Sequence, residues 1–361
     1  MLYPYKMMPV YKDYIWGGQN LKKLGKSTPE GKVAESWELS AIPGSESTIA
    51  NGPLKGQALT EVIRRYGKLV LGNKFAPDKS NAGLPVLLKF IDANDRLSIQ
   101  VHPDDEYAAE YEHGKKGKTE MWYILDAKPD ATVIHGFTEG YDHGKIRQAV
   151  LKGRHGGLYR EVRVKKGDVV FVPAGTVHAL NDGLAVAEIQ QHSDLTYRLF
   201  DYDRTDPAGN KRPLHVNKAL DVLDYKNRRA LYHGLSAGWK KARARYLALC
   251  EYFCVRQIEG SGMPVELIAN GSFTAFMLIS GEAEFITDIE KVRIGALETV
   301  LIPAYMGSYK IDGTFTALQI FVPDSVMDEY TSLIEEGFSK EEIIDSIAGA
   351  ESLCAPLKAA V

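Results

Sequence analysis

The chain has 361 residues and a mass of 40.0 kDa, with 45% hydrophobic and 25% charged residues. That mix excludes a mainly disordered or collagenous chain and gives a prior of about two globular domains. Lys and Arg total 44 against 47 Asp and Glu, a net charge of −3 with pI ≈ 6.3, so no global basic field favours nucleic acid or an anionic membrane as partner.

Residues 1–54 read as strands and loops, short apolar runs broken by Gly and Pro. The opening MLYPYKMMPVYKDYIWGG lacks the continuous apolar core of a signal peptide. Leu59, Val62, Ile63 and Tyr66 recur near helical spacing and predict a helix over 58–73, with Thr60 as cap and Gly72 and Asn73 as its end. PVLLKFIDA, 85–93, is a buried-strand pattern. RLSIQVHP predicts a short strand, after which Pro103 and Asp104 open a helix that stops at Gly114. TEMWYIL, 119–125, is a strand, and 138–153 a short helix. YREVRV and VVFVPAG are strands joined by KKGD. A polar insert, DYDRTDPAGNKRPLH, leads to a helix at 217–225. Residues 243–322 return to short β-like runs, and the chain ends in one or two helices. No stretch approaches the ~18 consecutive apolar residues of a membrane span. Cys250, Cys254 and Cys354 are too few for a disulfide framework, and the first two, in ALCEYFCVRQ, read as reduced, buried thiols. The chain is expected to be cytoplasmic.

The many short strands with Gly and Pro turns predict a mainly β fold of the barrel or sandwich kind. An internal repeat sharpens this. GDVVFVPAGTVHAL (167–180) and GALETVLIPAYMGSYKI (295–311) both read Gly, apolar strand, Pro-Ala, turn, strand. EMWYIL (120–125) and AFMLIS (275–280) precede them in the same order. The expectation is two copies of one β-barrel module. Glu120 aligns with Ala275, and His178, five residues after Pro173, aligns with Ser308, five after Pro303. The first copy would hold a polar site that the second lacks.

Three places in the first copy gather ligand-type residues. Gln100 and His102 alternate along one strand and so share a face. Glu120 starts a second strand, and His178 follows a Pro-Ala-Gly turn into a third. Two neutral imidazoles and a carboxylate suit Zn²⁺ with an open position; Fe²⁺ or Mn²⁺ could use a similar set. Each residue also has an ordinary reading: His102 at a helix start, Glu120 at a surface strand end, His178 in the core. Their combination, and the loss of two of them in the second copy, favours a metal site.

The segments SIQVHPDDEYA, GKTEMWYIL, FVPAGTVHAL and QQHSDLTYRLFDYDR, with WGG at 16–18 and ESWELS at 35–40, resemble the type I mannose-6-phosphate isomerases (phosphomannose isomerases) in their short bacterial form. The resemblance implies two cupin-type (jelly-roll) β-barrel modules with additional helices, the second degenerate. The expected division is a catalytic cupin domain over 1–240, a degenerate cupin domain over 241–325 and a C-terminal helical segment over 326–361. It implies one catalytic zinc per chain, held by Gln100, His102, Glu120 and His178, and interconversion of mannose 6-phosphate and fructose 6-phosphate. Arg198, in Ser-Asp-x-x-x-Arg, matches the family's active-site arginine, and Lys118 an active-site lysine. Larger members carry a lysine six residues after that arginine, where this chain has Arg204; their large helical insert is missing here.

The reaction moves a proton between C2 and C1 of an open-chain sugar phosphate through a cis-enediol, and charge develops on the carbonyl oxygen. Arg198 is the expected electrostatic stabiliser, since it stays charged at any working pH. Candidates for the base are Lys118, a metal-bound hydroxide, or an unassigned carboxylate or histidine. Ser98 and Arg204 are expected at the substrate phosphate, and Lys211 and Arg212 are further donors in the polar insert. Trp16, Trp37, Glu35 and Glu38 are candidate walls of the cleft. No P-loop or serine-hydrolase elbow is present. The alternatives are a metal-dependent cupin isomerase or epimerase for another sugar phosphate, and a sugar-phosphate-binding cupin without catalysis. The expected partner is a small-molecule sugar phosphate, with no nucleic acid and no membrane.

Overall fold

The computed structural model describes residues 2–75, 83–206, 208–226, 228–239, 242–269 and 271–354, apart from the side chains of 239, 242, 243 and 354. The expected boundary at 240/241, the thiol of Cys354 and the last residues of the expected 326–361 segment lie outside the described residues. The protein is mainly β, as the sequence predicts, and its strands pair antiparallel. Two compact units interleave along the chain: one takes Met1–Val10, Glu38–Val86 and Leu231–Val361, the other Tyr11–Trp37 and Leu87–Ala230. Compactness and chain order therefore divide the molecule differently.

In the second of these units, a five-stranded sheet runs in the order Tyr197–Phe200, Ile99–Val101, His178–Leu180, Thr132–Phe137, Tyr159–Arg163. A larger sheet includes, in order, Val169–Val172, Glu120–Ala127, Leu184–Gln191, Val86–Ala93 and Glu35–Leu39. Leu184–Gln191 and Val86–Ala93 are buried along their whole length, which is why they read as apolar runs rather than as alternating strands. The helices His143–Leu151 and Val216–Val222 cover one face of the five-stranded sheet, where Ile99, Val101, Ile146, Val150, Ala219 and Leu220 share a core. The strand alternation then turns Gln100 to the opposite face.

The other unit holds a ten-stranded sheet built largely from the C-terminal strands. The runs expected to be short include two long strands, Thr274–Ile286 and Gly307–Phe321, which pair with each other over most of their length. Their inward residues Phe276, Leu278, Phe285, Ile311 and Ala317 join one apolar core. Cys250 and Cys254 are buried free thiols, and burial pushes both up to about 12.

The expected 58–73 helix is two: Leu59–Tyr66 and Lys68–Leu71. Gly67 lies between them at φ 49, a conformation that ends a helical run at little cost only for glycine. Thr60 sits inside the first turn and the N-cap position belongs to Ala58. The Asp104 cap is as expected: its side chain accepts from the Tyr107 N–H and opens the helix Asp105–Tyr111. No helix among the described residues is long and apolar enough to cross a membrane.

Strand pairing supports the internal repeat and corrects its register. Glu120 pairs with Val172, the residue before Pro173. In the later strands the residue before Pro303, Ile302, pairs with Thr274. The counterpart of Glu120 is therefore Thr274, one position from the expected Ala275. A one-residue slip exchanges the two faces of a strand. His178 pairs with Gln100, and Ser308 correspondingly pairs with Ile268.

A candidate metal-centred active site

One rung of the five-stranded sheet carries most of the candidate site. Arg198 pairs with Gln100, Gln100 with His178, and His178 with His135. Directly opposed residues on adjacent strands share a face, about 5 Å apart, so these four side chains point toward the larger sheet. A register shift after Arg198 leaves the rung at the point where that strand bends. His102 follows the Ile99–Val101 strand and continues its alternation. Glu120 enters from the larger sheet.

His102, Glu120 and His178 are all buried, and one ligand atom from each lies within 4.8 Å of the others. Glu120 Oε1 is 3.3 Å from His178 Nε2, and Oε2 is 3.6 Å from His102 Nε2. His102 Nδ1 donates to the Leu195 carbonyl at 2.6 Å, and His178 Nδ1 donates to the Thr176 carbonyl at 2.8 Å. Those bonds fix the tautomer and aim both Nε2 lone pairs into the site, the arrangement of a metal-ligating histidine. Burial, then the Lys118 charge, holds His102 well below the usual histidine range, and burial pushes His178 down to about 3. Both imidazoles are therefore neutral, the form that binds metal. His102 Nε2 and Glu120 Oε1 make no hydrogen bond, a costly condition for buried polar atoms that a metal ion would relieve. Gln100 Nε2 is 3.4 Å from His178 Nε2, and a half-turn of its amide would present Oε1 there instead. The residues fit a metal ion. Among the described residues no other cluster of three His, Cys, Asp or Glu does so.

Lys118 is 4% exposed, so it is not a solvated member of the GKKGKTE run, and its Nζ stands 2.7 Å from Glu120 Oε2. Burial pushes Glu120 up and Lys118 opposes that shift. The Lys118 segment is pinned: its N–H donates to the Pro103 carbonyl at 3.0 Å, and the Gly117 N–H to Asp105 Oδ1 at 2.7 Å.

Beside these residues opens a cleft of about 290 Å³ lined by residues that include Tyr14, Trp16, Trp37, Ser98, Gln100, Lys118, Arg198 and Arg212. Trp16, Trp37 and Glu35 are cleft residues, as the sequence suggested. Glu38 is not among them; it accepts from Thr299 Oγ1 at 3.0 Å. Ser98 lines the cleft and donates to Gln100 Oε1 at 3.3 Å. Arg204 does not line it: its guanidinium reaches Asp201 at 2.6 Å and the Arg96 carbonyl at 2.5 Å. Lys211 is paired with Asp203 at 2.7 Å.

Lys89 and Glu188, which also line the cleft, escaped the sequence reading. Lys89 is buried and sits 2.9 Å from Glu188 and 3.6 Å from Glu35. Burial lowers Lys89, but Glu188 and Glu35 outweigh it and hold the ammonium charged. Burial would raise Glu188, but Lys118 and Lys89 hold it ionised. Trp122 Nε1 donates to Glu188 and Trp37 Nε1 to Glu35. A usable signal existed, namely a single charge at the centre of each of the apolar strands VLLKFI and AVAEIQQ.

Comparison with known proteins follows the same lines. Residues 5–138 match a family model described as phosphomannose isomerase type I, catalytic domain, and residues 243–322 one described as mannose-6-phosphate isomerase, cupin domain. The mannose-6-phosphate isomerase ManA of Bacillus subtilis strain 168 is 34% identical over 86% of this chain and 96% of its own. The mannose-6-phosphate isomerase of Streptococcus mutans is 35% identical over 83% and 92%. The crystal structure of the mannose 6-phosphate isomerase from Bacillus subtilis superposes with a TM-score of 0.79 at 35% identity, covering 88% of this chain and 99% of that one. The cupin domain implied by the sequence motifs is thus matched over residues 243–322.

Proposed function

The chain belongs to the type I phosphomannose isomerase family and is an enzyme of it, and from that membership we propose that it interconverts mannose 6-phosphate and fructose 6-phosphate with one zinc ion, through a cis-enediol. The observation that carries the metal reading is the buried, convergent, tautomer-fixed set His102, Glu120 and His178 with Gln100 at its edge. These four residues would hold the ion, and when bound it would supply Lewis-acid stabilisation of charge developing on the sugar carbonyl oxygen.

The chain's own residues do the rest. Arg198, in the same rung as Gln100, places a permanent positive charge where the enediolate develops. Lys118, buried at the cleft wall, is the group that moves the proton between C1 and C2. Lys89 and Glu188 form a buried pair at the cleft wall and keep it rigid. Trp16 and Trp37 present apolar faces that exclude water from the sugar. Ser98 is assigned to substrate binding; Arg204 serves the phosphate end through Asp201 rather than by contact.

Catalysis belongs to the expected 1–240 domain, which carries the whole ligand set. The 241–325 domain is a cupin without those ligands, followed by the expected helical segment from 326. Free thiols at Cys250 and Cys254 support a reducing, cytoplasmic setting.

A coupled assay of mannose 6-phosphate conversion, run before and after chelation, tests the reading. Activity should vanish on chelation and return with added zinc. Activity that survives complete metal removal would refute the zinc assignment, and absence of conversion by the metal-loaded enzyme would refute the substrate.

A further inference from the structure

We infer that Arg212 is the residue that reads the phosphate end of the substrate, held ready for that task by Asp201; the inference rests on the sugar-phosphate reading above. Four cations line the cleft: Lys89, Lys118, Arg198 and Arg212. Three already have carboxylates, Lys89 from Glu188 and Glu35, Lys118 from Glu120 and Arg212 from Asp201. Arg212 shares its Asp201 with Arg204, and Arg198 has no carboxylate partner among the described residues, so these two arginines carry the charge left for an anionic ligand.

Arg212 is built to a fixed orientation. Its Nε donates to Asp201 Oδ2 at 2.7 Å and its Nη2 to Asp201 Oδ1, while the guanidinium lies over the Trp16 ring, 4.9 Å from its centre. This two-point clamp and the stacked ring lock the planar fork. They leave Nη1 with no partner among the described residues. Asp201 is 5% exposed and is braced from its other side by Arg204. Arg204 in turn is tied to the Arg96 carbonyl and lies 3.4 Å from Asp95. This chain of contacts explains why Arg204 is withdrawn from the cleft although it follows Arg198 by six residues. The basic group at the cleft wall is supplied instead by the second arginine on Asp201.

The charge balance around this wall is short of anions. One buried carboxylate, Asp201, serves both Arg204 and Arg212. The Arg198 guanidinium makes no hydrogen bond or ion pair among the described residues, and its Nε is buried without a partner. Two guanidiniums facing one cleft repel each other, and a phosphate dianion between them removes that cost while taking charge-assisted bonds from both. Arg198 belongs to the rung that faces the metal ligands. Arg212 comes from a separate segment and packs on Trp16, so it falls to the end of the substrate away from the reacting carbons.

The test combines steady-state kinetics on mannose 6-phosphate with calorimetric binding of inorganic phosphate, on wild type, Arg212→Gln, Arg212→Lys and Lys211→Ala. Arg212→Gln should raise KM and the phosphate Kd together by about 10- to 100-fold, the loss expected for a hydrogen bond to a charged group. Its kcat should change far less. Arg212→Lys keeps a counter-charge for Asp201 and should fold normally, with a smaller parallel rise. Lys211→Ala, whose ammonium pairs with Asp203, should match wild type. KM and phosphate Kd within about twofold of wild type in both Arg212 variants would overturn the inference, as would a fall in kcat at unchanged KM. Phosphate binding requires no turnover, so a wild type that binds phosphate through Arg212 yet fails to isomerise mannose 6-phosphate would count against the substrate and not against Arg212.

Discussion

Arg198 shows what one residue contributes when its neighbours are set by strand pairing. It stands opposite Gln100, and its guanidinium is uncommitted among the described residues. Arg198→Ala should keep the fold and the metal but lower kcat by about 10²–10³-fold, the scale for one electrostatic donor. Near-normal turnover would remove Arg198 from the mechanism. His135 lies in the same rung but serves stability. It donates from Nε2 to the Phe171 carbonyl at 2.9 Å and accepts at Nδ1 from Arg160 at 3.1 Å. Burial first, and then the Arg160 charge, lower it to about 4. Its folded value is depressed, so its contribution to stability is complete above about pH 6.5 and is lost as pH falls toward 4. The unfolded chain takes up a proton in that window and the folded chain does not. The size is on the order of 3 kcal/mol. Urea unfolding of the metal-free protein at pH 7 and pH 4.5 should show the loss, and His135→Asn should shrink the difference between the two pH values. An equal pH dependence in that variant would refute the assignment.

At the scale of elements, the site depends on how the Lys118–Glu120 segment seats against the start of the Asp105–Tyr111 helix. Gly117 makes this possible by close approach: a Cβ there would lie 2.3 Å from the Asp104 carbonyl carbon and 2.5 Å from the Asp105 nitrogen. Gly117→Ala must therefore push the segment away. The expected cost is about 1–3 kcal/mol of stability, with a fall in kcat of up to about 10²-fold because Lys118 and Glu120 move together. A normal kcat with a lowered Tm would mean that the segment's placement matters to the fold alone. The Asp104 cap, the apolar runs of the core strands and the helices after Asp142 and His215 were legible because local chemistry dictates them. The break at Gly67 and the one-residue register of Thr274 were not. Both are decided by partners remote in sequence: by what the chain must turn to meet, and by which residue of the neighbouring strand it pairs with.

At the scale of the molecule, two modules of related pairing carry different chemistry. Where one offers Gln100, Glu120 and His178, the other offers Ile268, Thr274 and Ser308. Elemental analysis should find one metal per chain, falling to near zero in His178→Ala and unchanged in Ser308→Ala. A second equivalent, or metal loss in Ser308→Ala, would show that the later module binds metal after all.

By itself, the sequence determined the β class and the candidate ligand residues in their order, because residue alternation, turn chemistry and donor chemistry are local properties. It also carried the family resemblance, through motifs confined to short segments. Only the tertiary structure decided which cations face the cleft. Arg204 and Arg212 lie in the same polar insert and carry the same charge, and nothing in their spacing separates them. Asp201 binds both; Arg204 is drawn to the Arg96 carbonyl and Arg212 to the Trp16 ring. Likewise Lys89 and Glu188 are single charges in separate apolar strands, and they become a pair only when those strands lie side by side in one sheet. Burial, pairing and orientation arise between segments far apart in the chain, and the fold alone brings those segments together.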